Sequence, residues 1–275
     1  MEKWSALKLN QQKSVTDMLS LKGKTALITG GSGGIGRASA LALAELGADI
    51  IITGTARSEE KLKDYSKYIS ERCNVKVLYK ICDVADEQDV DDLFDFVRAE
   101  VGDLDICFSN AGYFSRTDSV DQPTDDFRRM FDVDVLGTFL VCRKAAEIMI
   151  EKNHGGSIIL NASMTAHIVN RIQDHQHPII AYPASKGAVL HMTRALALEY
   201  AKYGIRVNSV STGYILSGIH DGRTEEYFEW TANNVPMKRY GTLDEIVGSV
   251  VYYASDLSTY TTGADLLVDG GYCIW

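Results

Sequence analysis

Tyr182 and Lys186 stand four residues apart in Ala181-Tyr182-Pro183-Ala184-Ser185-Lys186. On a helix that spacing puts both side chains on one face, about one turn from each other. A free phenol has a pKa near ~10, too high for easy proton exchange at cellular pH. A cation held beside it favours the phenolate and moves the hydroxyl toward acid/base work. Bringing the pKa from ~10 to ~7 asks the site for about 4 kcal/mol, much of which one ammonium in a partly dry pocket supplies. The pair by itself equally describes an amphipathic helix with a surface lysine. What surrounds it therefore decides.

The elements that must position the pair are legible upstream. Residues 25–29, Thr-Ala-Leu-Ile-Thr, form a short apolar run that reads as a buried parallel strand. The run enters Gly30-Gly31-Ser32-Gly33-Gly34-Ile35-Gly36, and residues 37–46 follow at helical period. Strand, glycine turn and helix in that order make a phosphate site: glycines admit a pyrophosphate close to the backbone, and the helix N-terminus offers free N–H groups and its positive dipole end. The string is parsed as Thr29-Gly30-x-x-x-Gly34-x-Gly36.

A second strand is expected over 49–54. Where an NAD site carries an acidic residue on the ribose 2′-hydroxyl, this chain has Thr53-Gly54-Thr55-Ala56-Arg57-Ser58. A guanidinium and hydroxyls without a repelling carboxylate suit a 2′-phosphate; the alternative is an ordinary surface arginine. The pattern then predicts a helix over 59–72, a strand over 76–81 ending at Asp83-Val84, and a helix over 87–100. A fourth strand over 104–108 runs into Ser109-Asn110-Ala111-Gly112, small residues at the sheet edge where such folds bind ligands. Residues 127–150 give one or two turns and a long helix, 157–161 a fifth strand, and 171–180 a polar connection rich in His and Gln. The Tyr182 helix runs to about residue 203 and a sixth strand covers 206–210. A mixed segment over 213–235 suits a mobile substrate cover. A helix over 243–254 and a strand over 265–268 complete an α/β, doubly wound Rossmann-type domain. Its parallel sheet has about seven strands, with helices on both faces. The domain is expected over 21–275, after a 1–20 extension on the surface or partly disordered.

At 275 residues, 45% hydrophobic and with 4 prolines, the chain has ample material for a compact core. A formal charge of −9 disfavours nucleic acid and anionic membranes as partners. No apolar run approaches the ~18 residues of a spanning helix. The five cysteines (Cys73, Cys82, Cys107, Cys142, Cys273) lack close pairs and read as reduced residues of a cytoplasmic protein.

The glycine motif, Asn110-Ala111-Gly112, Ser163, Tyr182-x-x-x-Lys186 and Asp269-Gly270-Gly271 occur in the order found in short-chain dehydrogenases/reductases, which the chain resembles over about residues 21–272. The resemblance implies a small-molecule carbonyl or alcohol as substrate. Tyr182 then exchanges a proton with the substrate oxygen, Ser163 hydrogen-bonds that oxygen, and Lys186 lowers the phenol pKa and holds the nicotinamide ribose. The implied cofactor contacts are Gly30, Ser32, Gly34, Ile35, Gly36, Thr55, Arg57, Ser58, Asp83, Val84, Asn110, Ala111, Gly112, Tyr182, Lys186, Gly213 and Ile215, with NADP(H) as cofactor. A homotetramer built through the Asp134 and Tyr182 helices is also implied. Residues 162–170 and 254–267 resemble the NADP-dependent mannitol dehydrogenase and L-sorbose reductase branch, which implies a ketose, such as fructose or sorbose, and its polyol. The alternatives are a 3-oxoacyl thioester or other carbonyl reductase, or a catalytically impaired dinucleotide-binding sensor.

Three departures accompany the resemblance. Asp134 occupies the position of the family's helix asparagine, which helps hold a water linking the lysine to solvent. Thr212-Gly213 replaces Pro-Gly after the sixth strand, and the connection before Tyr182 is longer, with Asp174-His175-Gln176-His177. Two histidines and one carboxylate in a polar loop fall short of a metal site, so no metal is expected.

Overall fold

The computed structural model describes residues 13–115, 117, 119–169, 179–218 and 221–274. Seven strands form one sheet: β1 (Thr25–Thr29), β2 (Asp49–Gly54), β3 (Val77–Ile81), β4 (Ile106–Ser109), β5 (Gly156–Asn161), β6 (Ile205–Thr212) and β7 (Asp265–Val268). Their spatial order is β3-β2-β1-β4-β5-β6-β7, and every pairing is parallel. The interior strand β1 is buried at all its residues, as a strand covered on both faces must be.

Successive side chains of a strand point to opposite faces, and the core divides accordingly. Leu27, Ile51 and Cys107 pack with α4 (Glu87–Glu100), α6 (Thr138–Lys152) and α7 (Ala181–Tyr200) on one face. Ala26, Ile28, Ile50, Ile52 and Phe108 pack with α2 (Gly34–Glu45), α3 (Glu59–Cys73) and α9 (Leu243–Ala254) on the other. The expected doubly wound architecture is present. Because β1 neighbours both β2 and β4, the strand order reverses there, which opens a crevice at the carboxyl ends of these strands.

Local chemistry sets several boundaries. Asp86 starts α4 by accepting from the N–H groups of Gln88 and Asp89, and a capping box of Thr242 with Glu245 starts α9. Elsewhere the structure adds to the sequence reading. Within the expected surface extension, Ser14 Oγ accepts from the Asp17 N–H to start α1 (Val15–Leu19), which buries none of its residues, and Lys13 pairs with Asp256 at 2.8 Å. The 213–235 segment contains α8 (Glu225–Asn234), begun by Thr224 accepting from the Tyr227 N–H. Between α5 (Thr124–Phe131) and α6 lies a wider π-helical turn, Asp132–Gly137, a form that recurs at functional sites. A Cβ at Gly137 would stand 2.7 Å from Val84 Cγ2, so glycine lets this turn press on the sheet edge.

Candidate active site

The turn from β1 into α2 shows why its glycines are needed. Gly30 has φ +66°, and a Cβ on Gly36 would lie 2.4 Å from the Gly30 carbonyl oxygen. The next wall comes from β4. Thr29 Oγ1 accepts from the backbone N–H groups of Asn110 and Ala111 at 2.9 and 3.0 Å, while Asn110 Nδ2 donates to the Thr29 carbonyl at 2.9 Å. Asn161 Nδ2 at the end of β5 donates to Asn110 Oδ1 at 3.0 Å. Three neighbouring strand ends are thereby locked into one rim.

Helix α7 brings in the reacting pair. Pro183 lies in its first turn, where a missing N–H costs no intrahelical bond. Lys186 is buried and donates to the Asn161 carbonyl at 3.0 Å, with its ammonium 5.6 Å from the Tyr182 ring centre. Ser163 caps a short 3₁₀ turn, Met164–Ala166, that follows β5. Together with Gly30, Gly34, Ile35, Asn110, Ala111, Gly112, Gly213 and Ile215, these three residues line one cleft of about 340 Å³.

The other expected contacts lie around that cleft. Gly36 sits beneath the glycine turn. Ser32, Thr55, Arg57 and Ser58 gather at the end of β2, where a Cβ on Gly54 would meet Ser58 Oγ at 2.8 Å and Ser32 Oγ at 3.5 Å. Arg57 is exposed there, with no ion pair among the described residues. Asp83 is already engaged, taking Arg129 at 2.6 Å and the Ala85 N–H at 3.1 Å, while Val84 is part of the core. The polar residues 170–178, including Asp174, His175 and His177, and also His220, lie outside the described residues. The described part of the substrate wall is largely apolar and aromatic, with Phe114, Met164, Ile179 and Tyr214.

Asp134 is wholly buried, carried inward by the π-helical turn. Its Oδ1 accepts from the Tyr113 N–H and its Oδ2 from the Ser185 hydroxyl, both at 2.8 Å. A Cβ on Gly112 would lie 3.3 Å from Asp134 Oδ1 and 3.6 Å from Lys186 Nζ, which places both the carboxylate and the ammonium beside that glycine. The electrostatics at Tyr182 correct the expectation of a lowered phenol pKa. Burial dominates and holds it above the ordinary value; Lys186 opposes this, the Asp134 charge adds to it, and a hydrogen bond with Ser163 opposes it. The lysine acts in the expected direction but is outweighed.

Sequence reasoning missed Asn161, Ser185, Phe114 and Thr165. Phe114 packs edge-on against Tyr182, with ring centres 4.8 Å apart at 81°. Thr165 Oγ1 donates to Ser163 Oγ at 3.0 Å. Ser185 alone had a visible signal, being on the Tyr182 helix one residue before Lys186.

The chain matches the family model described as Enoyl-(Acyl carrier protein) reductase over residues 30–273. It is 38% identical to sorbose reductase SOU1 of Candida albicans, over 94% of this chain and 90% of that protein. It is 35% identical to the NADP-dependent mannitol dehydrogenase of Alternaria alternata, over 96% of this chain and 97% of that one. A crystal structure of a short-chain type dehydrogenase/reductase from Mycobacterium marinum superposes with a TM-score of 0.88 at 40% identity, covering 94% of this chain and 99% of the other. The glycine turn, the Asn110 rim and the Ser163–Tyr182–Lys186 grouping thus occur in a chain that belongs to the short-chain dehydrogenase/reductase family.

Proposed function

We propose that this protein is an NADP(H)-dependent oxidoreductase that interconverts a ketose of the fructose or sorbose type and its polyol. The observation that carries the reading is one cleft shared by the glycine turn, Lys186, Tyr182 and Ser163. The residues suit a dinucleotide: Gly30, Gly34 and Ile35 of the glycine turn line the cleft at the N-terminus of α2, and the end of β2 offers Arg57, Thr55 and Ser58 without a carboxylate. When bound, the nicotinamide supplies or accepts the hydride at the substrate carbon.

The chain's own groups manage the oxygen. In reduction Tyr182 gives its proton to the carbonyl oxygen as the carbon takes the hydride, and in oxidation the phenolate takes that proton back. Ser163 donates a hydrogen bond to the same oxygen, stabilising the charge that develops on it. Lys186, held by the Asn161 carbonyl, keeps further donors for the ribose hydroxyls and favours the phenolate. The ketose assignment is supported by the printed activities of the sorbose reductase and mannitol dehydrogenase relatives. Apolar walls at Phe114 and Tyr214 suit the C–H faces of a sugar chain.

The family resemblance supports a homotetramer built on the Asp134 and Tyr182 helices, where Leu136 and Leu198 are 44% and 84% exposed. Five free cysteines support a reducing, cytoplasmic setting. A second reading, a dinucleotide-binding protein with little turnover, is favoured by the buried Asp134 at the position of the family's helix asparagine and by Thr212 in place of proline.

One assay separates these readings. Fructose, sorbose and cyclohexanone are each offered with NADPH and with NADH. Reduction of a sugar in preference to cyclohexanone, with NADPH preferred, is expected. Faster turnover of the bulky apolar ketone rejects the ketose assignment, and dinucleotide binding without any turnover selects the second reading.

A further inference from the structure

Ser163 Oγ has two lone pairs and one proton to offer. Two donors converge on its lone pairs from one residue: the Thr165 N–H at 3.2 Å and the Thr165 hydroxyl at 3.0 Å. With both acceptor positions taken, the only capacity left to Ser163 is its own O–H. The two hydroxyls are buried, and Thr165 lines the same cleft as Tyr182.

The turn that carries them is fixed from both ends. His167, at the C-terminal end of the turn, is bonded through Nε2 to Asp265 Oδ2 at 2.8 Å. Asp265 Oδ1 accepts the hydroxyls of Ser209 and Ser211 at 2.6 and 2.9 Å, so the β7 carboxylate is itself held by β6. At the other end the Cys273 thiol donates to the Met164 carbonyl at 3.8 Å. The 3₁₀ turn that places Thr165 against Ser163 is therefore held in place before any substrate arrives.

We propose that Thr165 is a positioning residue for the reaction, whose hydroxyl occupies Ser163 as an acceptor and so directs the single Ser163 proton into the cleft, toward the Tyr182 oxygen in the free protein and toward the substrate oxygen when substrate is bound. The inference rests on Ser163 and Tyr182 facing that oxygen, as proposed above. Hydrogen bonds in a chain polarise one another, so the Thr165 donor makes Ser163 a stronger donor toward developing charge. Without it, the Ser163 hydroxyl is free to turn and accept, and the oxygen loses its aligned partner.

Thr165→Val removes the hydroxyl at nearly constant shape and leaves the backbone N–H, whereas Thr165→Ser keeps the donor. Thr165→Ala serves as a second hydroxyl-free variant should valine disturb folding. The first readout is the ionisation of Tyr182 in the free protein, taken as the phenolate absorbance difference between each variant and the same variant carrying Tyr182→Phe. Loss of the Thr165 hydroxyl is expected to raise the midpoint by about half a pH unit, with Thr165→Ser at the parent value. The second readout is turnover of the ketose reduced fastest by the parent. kcat is expected to fall about ten-fold in Thr165→Val and Thr165→Ala, with the KM for NADPH unchanged and Thr165→Ser near parent. An unchanged midpoint and rate in both hydroxyl-free variants overturn the proposal. So does a Thr165→Ser variant as impaired as Thr165→Val, which would assign the site to packing. A parent inert toward every ketose, with a shifted midpoint in Thr165→Val, overturns the ketose reading and sustains the role of Thr165.

Discussion

Ser185 donates its hydroxyl to Asp134 Oδ2 at 2.8 Å, and the same oxygen stands 2.9 Å from the Tyr182 carbonyl. The pair makes an amide at position 134 an unusually clean probe. An asparagine there would accept the Tyr113 N–H through its oxygen and donate through its nitrogen to Ser185, whose proton would turn to the Tyr182 carbonyl. Every polar atom stays satisfied, and only the charge is lost. Because the Asp134 charge raises the Tyr182 pKa, Asp134→Asn should move the rising limb of the pH–rate profile for alcohol oxidation to lower pH. We expect a displacement of about one pH unit, with faster turnover near neutrality. Superimposable profiles for parent and variant would remove Asp134 from the proton chemistry.

Arg57 is exposed on the 3₁₀ turn after β2, among hydroxyls and without a carboxylate partner among the described residues. A charge-assisted bond to a 2′-phosphate is worth about 1.5–3 kcal/mol, so Arg57→Ala should weaken NADPH binding about ten-fold or more. NADH, which lacks that phosphate, should bind almost as before. Calorimetric titration with both dinucleotides checks this, and equal losses for the two would mean that Arg57 does not read the phosphate.

Thr29 is fully buried, and its Oγ1 accepts two backbone N–H groups from β4. Valine has nearly the same shape but no acceptor. Each stranded N–H costs about 1–3 kcal/mol, so Thr29→Val should lower stability by about 2–6 kcal/mol, whereas Thr29→Ser should stay within about 1 kcal/mol of parent. Denaturant unfolding of the two variants measures the difference. A loss in Thr29→Val no larger than that in Thr29→Ser would mean that the acceptor contributes little.

Features written in nearest-neighbour chemistry were legible without coordinates. Helix α4 begins where Asp86 supplies a cap, and α9 where Thr242 and Glu245 form a capping box. The apolar runs of β1 and β2 read directly as buried strands, and the glycine spacing marks the turn between β1 and α2. The Ser14 cap of α1 and the Thr224 cap of α8 were equally present, but α1 spans only five residues and the aromatic residues of α8 cluster at 227, 228 and 230, so periodicity gave no second signal. The π-helical turn at Asp132–Gly137 cannot be told from α-helix over six residues, because its identity lies in which carbonyl each N–H reaches. Asn161 acquires its role from how β5 stands beside β4 and α7, a relationship between distant segments that no local pattern encodes, and Thr165 meets Ser163 only through the 3₁₀ turn that follows β5. The net electrostatics at Tyr182 were unreadable for the same reason: Lys186 was visible four residues away, whereas the burial that outweighs it is a property of the assembled cleft.

The division of the core by the sheet has a consequence for mutational epistasis. Leu27 packs with one set of helices, and its chain neighbours Ala26 and Ile28 pack with the other. Sequence proximity and energetic proximity therefore separate along β1. Residues without shared partners have additive effects, and those within one cluster do not. Leu27→Ala and Ile28→Val should combine almost additively in unfolding free energy despite being adjacent. Leu27→Ala with Val141→Ala, two members of the same cluster far apart in the chain, is the pair in which a coupling energy is to be sought. A pairwise map of β1 and β2 would then show a checkerboard of period two, the two-sided wiring of the sheet written in stability data.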